Sequence, residues 1–246
     1  MLIRHAGSSV AGAETTSVSI RLILLSLLTT PEAYRKLQAE IDAYYAERAA
    51  HGADPNSVIS YAHSKSLLYL QGAIREGMRL WPPSAGLFSR DVPKAGDTIH
   101  GYYLPPGTEI GQSMYGIGRR RDLWGEDADV FRPERWLEAN PEKLREMHAA
   151  CDLNFSSGKY VCLGRSIALM EISKFFVEVC CQLRTPFATF KLELVVLKTS
   201  VLPPQILRRY EIASMNPPEP VKMIDPLTWQ PRDFWIRFSK RGKREA

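Results

Sequence analysis

Cysteine is scarce in this chain. Of 246 residues four are cysteine: Cys151, Cys162, Cys180 and Cys181. Two of these are adjacent and no pair has zinc-finger spacing, so neither a disulfide scaffold nor a structural zinc site is indicated. That usage points to a reducing, intracellular compartment. The five histidines, His5, His51, His63, His100 and His148, share no spacing and read as surface or loop residues. Long apolar runs are also absent. LILLSLL, from Leu22 to Leu28, falls far short of the roughly 20 residues a membrane span needs, and Arg21 precedes it. A long stretch separates that run from Met1, which argues against a signal peptide. It reads instead as a buried helix, and no membrane span is expected in this chain. Charge of one sign is not in great excess. The net +5 is scattered, so nucleic acid is not an expected partner.

What is present suggests a mainly α fold with small β-sheets. A helix runs to Thr29. Thr30-Pro31 predicts a stop and a restart, with Thr30 as N-cap and Pro31 at the first helical position. The second helix carries Leu37, Ile41, Tyr44 and Tyr45 at helical spacing and ends before His51-Gly52. A third covers about Ser64 to Leu80 and is closed by Trp81-Pro82-Pro83. Residues 84–140 are rich in Gly, Pro and Arg. There TIHGYYLPPGTEIG predicts two short strands around Pro105-Pro106-Gly107, and Trp124 and Trp136 are the expected anchors of an irregular stretch. Arg165 to Gln182 reads as a helix. Ile167, Leu169, Met170, Ile172, Phe175, Phe176 and Val179 cover most of its faces, the pattern of burial. FATFKLELVVLKTSV alternates like a strand, and KRGKREA is a basic tail.

The stretch with the most chemical content is FSSGKYVCLG, Phe155 to Gly164. A metal-ligating cysteine acts as thiolate and needs donors and restricted access around its sulfur. Gly158 permits a tight turn at positive φ. Phe155 can shield the sulfur. Leu163 and Gly164 lead from Cys162 into a helix, whose first N–H groups and N-terminal field favour the thiolate. Gly164 has no side chain to hold a flat ligand away from the backbone. A flat ligand with a metal at its centre is a haem, and an axial thiolate pushes electron density toward its iron. The competing reading is a buried cysteine in a loop of chance spacing.

Other motifs precede it. In AGAETTS, Gly12 leaves room beside a helix, Glu14 and Thr15 form an acid–alcohol pair, and Thr15 can bend the helix by bonding back to a carbonyl. Small residues of this kind equally serve close helix packing. In REGMRLWPP, Glu76 and Arg79 share a helical face. FRPERW places Arg135 in the irregular region, where a Glu76–Arg79–Arg135 network would tie it to the helix; the alternative is a surface ion pair of little weight.

Taken in this order, the motifs resemble the cytochrome P-450 family. AGAETT looks like its oxygen-activation segment, EGMR its Glu-x-x-Arg, FRPERW its Pro-Glu-Arg-Trp element and FSSGKYVCLG its haem loop. CLGRSIALMEISKFFVE is similar to filamentous-fungal members, including the pisatin demethylase and benzoate hydroxylase groups, which often serve secondary metabolism or detoxification. The resemblance implies haem b as cofactor with Cys162 as axial iron ligand. Phe155, Gly158, Tyr160, Gly164 and Arg90 become expected haem contacts, and Glu14 and Thr15 expected catalytic groups. It further implies O2, a small hydrophobic organic substrate and an NADPH-dependent reductase, toward which Lys159, Arg165 and Lys174 would face, unless they are ordinary solvated charges. One departure stands out: where the family usually has arginine two residues before the cysteine, this chain has Tyr160, so Arg90 is expected to carry more of the contact with the haem propionates.

Family members are roughly twice as long, so residues 1–246 read as a partial domain: the C-terminal half of the fold, starting inside the central helix, with the N-terminal half absent. Full-length relatives are anchored to the endoplasmic reticulum by a segment not found here. Residues 183–204 interrupt the family pattern, which resumes near ILRRYEIASMNPP, and read as an insertion or retained intron, or else as a genuine hairpin. The function implied is haem-thiolate monooxygenase. The rivals are a non-catalytic relic that binds haem weakly or not at all, and a zinc or redox cysteine protein, which no ligand spacing supports.

Overall fold

Helix α1 (Leu2–Thr29) forms the axis of the core because the chain makes it apolar nearly all round: Val18, Leu22, Ile23, Leu24 and Leu27 are each at most 1% exposed. A computed structural model describes residues 2–54, 57–84, 86–178, 187–191, 210–214, 216–219, 222–224, 230–232 and 235–240. The stretch Ala11–Thr29 has mean hydropathy 1.3 and is long and apolar enough to cross a membrane by length and composition. LILLSLL alone understated it, because the helix extends the apolar stretch on its N-terminal side. Most of the stretch is packed inside the protein, the mark of a core helix.

Helix α2 (Pro31–Ala50) follows directly, with Pro31 in its first turn. Thr30 marks the boundary but its side chain makes no capping bond, contrary to the expected N-cap. Leu37, Ile41 and Tyr45 point inward. The predicted third helix is two: α3 (Tyr61–Ser66), capped by Ser60 accepting from the His63 N–H, and α4 (Leu68–Leu80). Leu67, at φ −77° and ψ 94°, breaks the run. Glu40 of α2 supplies what the break needs, accepting from the N–H groups of Tyr69 at 2.7 Å and Leu70 at 2.8 Å. α4 then crosses α1 so closely that a Cβ on Gly77 would lie 2.4 Å from Ile23 Cγ1.

Strands β1 (Leu87–Asp91), β2 (Asp97–Ile99), β3 (Tyr102–Leu104) and β4 (Glu109–Ser113) come next. β2 and β3 form a hairpin whose turn residues His100 and Gly101 both take positive φ, as a type I′ turn requires. Pro105-Pro106-Gly107 lies between two short strands, as expected, which pair with β2 and β1 and not with each other. It carries the chain from β3 to β4, which pairs antiparallel with β1, Arg90 opposite Ile110. Short helices α5 (Met114–Ile117), α6 (Arg121–Trp124) and α7 (Arg135–Glu138) lie in the meander, which Trp124 and Trp136 anchor in the core. Helix α8 (Pro141–Asp152) is capped by Asn140. It carries His148, which is half-buried with its ring 5.5 Å from that of Trp136 rather than free on the surface.

Helix α9 (Arg165–Glu178) packs on α1, α3 and α4. Burial is confined to its second half, at Ile172, Phe175, Phe176 and Val177; Ile167, expected inside, is 57% exposed, because it stands beside the open face of the cysteine loop. Strands β5 (Phe187–Lys191), β6 (Tyr210–Ser214), β7 (Lys222–Ile224), β8 (Gln230–Arg232) and β9 (Trp235–Lys240) complete the chain, with β5-β9-β6 in one antiparallel sheet and β7-β8 in another. The first sheet docks on α2 through the Ile212 N–H, which donates to Tyr34 Oη at 3.1 Å. Val179 to Gln182, most of 183–204 and the tail after Lys240 lie outside the described residues.

Candidate functional site: the cysteine loop and its support

The turn before the cysteine takes shape as its glycine requires, with Gly158 at φ +61°. Ser156 is a surprise at φ +60° and ψ −172°, a region almost confined to glycine. The Cys162 N–H donates to Phe155 O at 2.8 Å, closing the loop under the cysteine. Arg165 N–H then donates to Cys162 O and α9 begins, so the positive end of a 14-residue helix lies beside the sulfur. A Cβ on Gly164 would sit 3.9 Å from Cys162 Sγ and meet nothing nearer. Cys162 is exposed, on a face that also shows Leu163 (96% exposed), Val161 and Ile167.

Phe155 packs on the core, under the Arg165 guanidinium at 5.5 Å. Arg165 also pairs with Asp152 at 2.6 Å, and Asp152 pairs with Arg75 of α4 at 3.5 Å. Arg165 thus ties the loop to α8 and, through Asp152, to α4. Asn154 adds a second tie, donating from Nδ2 to Met78 O at 3.2 Å. Neither Asp152 nor Asn154 was singled out in the sequence, and no spacing signal marks them.

Arg90 reaches the same loop from β1. Its guanidinium donates to Ser156 Oγ at 2.8 Å and Ser89 O at 2.6 Å and lies 4.3 Å from the centroid of the Tyr160 ring. Lys159 Nζ is 4.8 Å from that ring.

Glu14 and Thr15 sit at the middle of α1. Thr15 Oγ1 donates back to Ala11 O at 2.8 Å, and a Cβ on Gly12 would meet nothing within 4 Å. Among the described residues no hydrogen bond or ion pair links this pair to Cys162.

Glu76, Arg79 and Arg135 meet in a closed cluster, each side chain at most 4% exposed. Glu76 Oε1 accepts from Arg79 at 2.7 Å, from Arg135 Nε at 2.8 Å and from the Arg132 N–H at 3.0 Å; Oε2 accepts from Arg79 Nε and from Trp136 Nε1, both at 2.9 Å. Arg79 spends its remaining donors on the carbonyls of Gly118, Ala128 and Val130. Arg135 spends its own on Trp124 O, Asp127 Oδ1, Asp127 O and Val130 O. All five N–H donors of each guanidinium are used. Burial would raise the Asp127 carboxyl, but hydrogen bonds from Arg135 and Arg132 outweigh it and hold the group below its ordinary value. A Cβ on Gly118 would fall 2.1 Å from Arg79 O, so glycine is needed for the meander to approach α4. Asp127, Arg132 and Trp136 are members that the spacing of Glu76 and Arg79 did not reveal.

A helical core carrying this ion-pair cluster, with an exposed cysteine at the head of a helix, defines a class. The Cytochrome P-450 family model matches residues 6–187, and the chain belongs to that family. It is 41% identical over 232 residues, 94% of its length, to cytochrome P-450 monooxygenase ABA1 of Pyricularia oryzae. It is 38% identical over 184 residues, 75% of its length, to cytochrome P-450 monooxygenase abl1 of Leptosphaeria maculans, and 33% identical over 94% of its length to cytochrome P-450 monooxygenase esdpH of Penicillium shearii. The chain spans 39%, 31% and 38% of those fungal relatives respectively. The family implies a haem, and the residues present fit one. Cys162 is open on an apolar face, and Gly164 sets no side chain between sulfur and ligand.

Proposed function

We propose that the chain is the haem-binding portion of a haem-thiolate monooxygenase that inserts one atom of O2 into a small hydrophobic organic substrate, with electrons from an NADPH-dependent reductase. The observation that carries this is the exposed Cys162 at the head of α9, held by the Cys162 N–H to Phe155 O bond. Bound haem would supply O2 activation, and a thiolate ligand would push electron density toward its iron. Cys162 Sγ, exposed at the head of α9, would be the iron ligand. Phe155 would exclude water from beneath the loop. Gly158 and Gly164 would let the loop lie flat, and Arg90 would meet an acidic edge of the cofactor. The Thr15 hydroxyl proton is committed to Ala11 O, so its oxygen would act as acceptor; exposed Glu14 would hold and release a proton at its carboxylate. Glu76, Arg79 and Arg135 would fix the meander and, through α4, the floor of the loop. Residues 183–204 would be a retained intron in this framework; a transcript joining the codons of Gln182 and about Gln205 supports that, and an uninterrupted one, as a genuine hairpin requires, refutes it.

The exposed Leu163 and Leu87 favour a second reading, a relic in which the apolar face stays bare and haem binds weakly or not at all. A carbon monoxide difference spectrum of the reduced, haem-reconstituted chain separates the two. A red-shifted Soret band lost in Cys162→Ala supports the enzyme reading. Absence of the band supports the relic.

A further inference from the structure

Two features meet at the rim of the cysteine loop. One is an apolar shelf of Val161, Leu163 and Ile167, each more than two-fifths exposed. The other is a pair of cations, Arg90 and Lys159, with no carboxylate partner among the described residues. An apolar shelf beside bare cations suits a ligand with a flat apolar body and an acidic edge. Of the two cations, Arg90 is the one held in place: Ser89 O and Ser156 Oγ accept from it, and the Tyr160 ring lies under it. Ser156 holds its oxygen there from a backbone conformation that glycine would adopt with less strain. A flexible arginine loses side-chain entropy when it binds an anion, and a contact that orders it beforehand lowers that cost.

We propose that Tyr160 is a positioning residue. Its ring, together with Ser156, pre-orders the Arg90 guanidinium so that Arg90 alone can hold a carboxylate of the bound porphyrin. A neutral ring thus substitutes, by stacking, for a second cation at the position where the resemblance leads one to expect arginine. The inference rests on the haem reading above. It concerns the ring and not the hydroxyl, since the contact is guanidinium over ring face.

The test compares the affinities of the full chain for hemin and for hemin dimethyl ester, which lacks free carboxylates, in the same detergent buffer, by Soret titration. The unmodified chain should prefer hemin, and Arg90→Ala should abolish the preference. Tyr160→Ala should reduce the preference about 2–5-fold, the ordinary strength of an exposed cation–π contact, and Tyr160→Phe should retain it. In the Arg90→Ala background, Tyr160→Ala should have no further effect. Tyr160 is 55% exposed, so its removal should leave the circular dichroism unchanged. A preference unaltered in Tyr160→Ala, or lost equally in Tyr160→Phe, overturns the proposal while the haem reading stands. Absence of a Cys162-dependent spectrum with either porphyrin overturns both.

Discussion

The arginines around Glu76 and the arginine beside Tyr160 are used in opposite ways. Arg79 and Arg135 are sealed, and every N–H they carry ends on an oxygen of this chain. Arg90 is exposed, leans on a ring and a hydroxyl, and meets no carboxylate among the described residues. The two described cysteines, Cys151 and Cys162, repeat the contrast. Burial pushes the Cys151 thiol up to about 11, while Cys162 stands in the open. In the first region charge and sulfur are internal parts of the scaffold. In the second they are exposed at the surface.

The contrast is broken most directly at Glu76. Glu76→Ala leaves two buried guanidinium groups short of a counter-charge and should cost about 3–5 kcal/mol in urea unfolding. A loss under about 1 kcal/mol would mean that the cluster is not the closed unit its hydrogen bonds describe. Gly118→Ala should cost about 3 kcal/mol, since the new Cβ collides with Arg79 O and the meander must retreat. A thermal midpoint within a degree of the parent would show that the approach is loose.

The pH dependence sharpens the comparison. With its folded-state value depressed, Asp127 contributes stability above the ordinary carboxylate value of 3.8, and this is lost as pH falls through the lower folded value. The urea midpoint should therefore fall below about pH 4. Asp127→Asn should lower the midpoint at neutral pH and flatten that acid slope. An unchanged slope would detach Asp127 from the cluster's energetics. The smallest effects belong to the open region. Arg90→Ala and Cys162→Ala should each change unfolding free energy by less than about 0.5 kcal/mol. Iodoacetamide followed by peptide mass analysis should modify Cys162 well before Cys151; the reverse order would contradict the assignment of inside and outside.

Much of this was legible in local sequence. Gly158 carries the positive φ that its turn needs, Pro31 sits in the first turn of α2, and Glu76 and Arg79 pair three residues apart on one helical face. Elsewhere local reading failed for identifiable reasons. Leu67 interrupts what looked like one helix because Glu40, distant in sequence, satisfies the new N-terminus. Two short strands around Pro105-Pro106-Gly107 were legible, but not that β3 pairs back with β2 and β4 with β1, the first pairing being made by the positive-φ residues His100 and Gly101. α9 has the composition of a buried helix, yet its first turns border the open cysteine face.

The sequence by itself determined the turn chemistry, the helical faces and the motif spacing that marks the family, because each depends on residues within a few positions of one another. Only the tertiary structure decided that Asp127, Arg132 and Trp136 complete the Glu76 cluster, that Asp152 clamps Arg165 to Arg75, and that Tyr160 lies beneath Arg90. Those partners stand far apart along the chain or on different elements. A side chain's choice among distant oxygens and rings is fixed by how helices and strands pack, which local spacing does not encode.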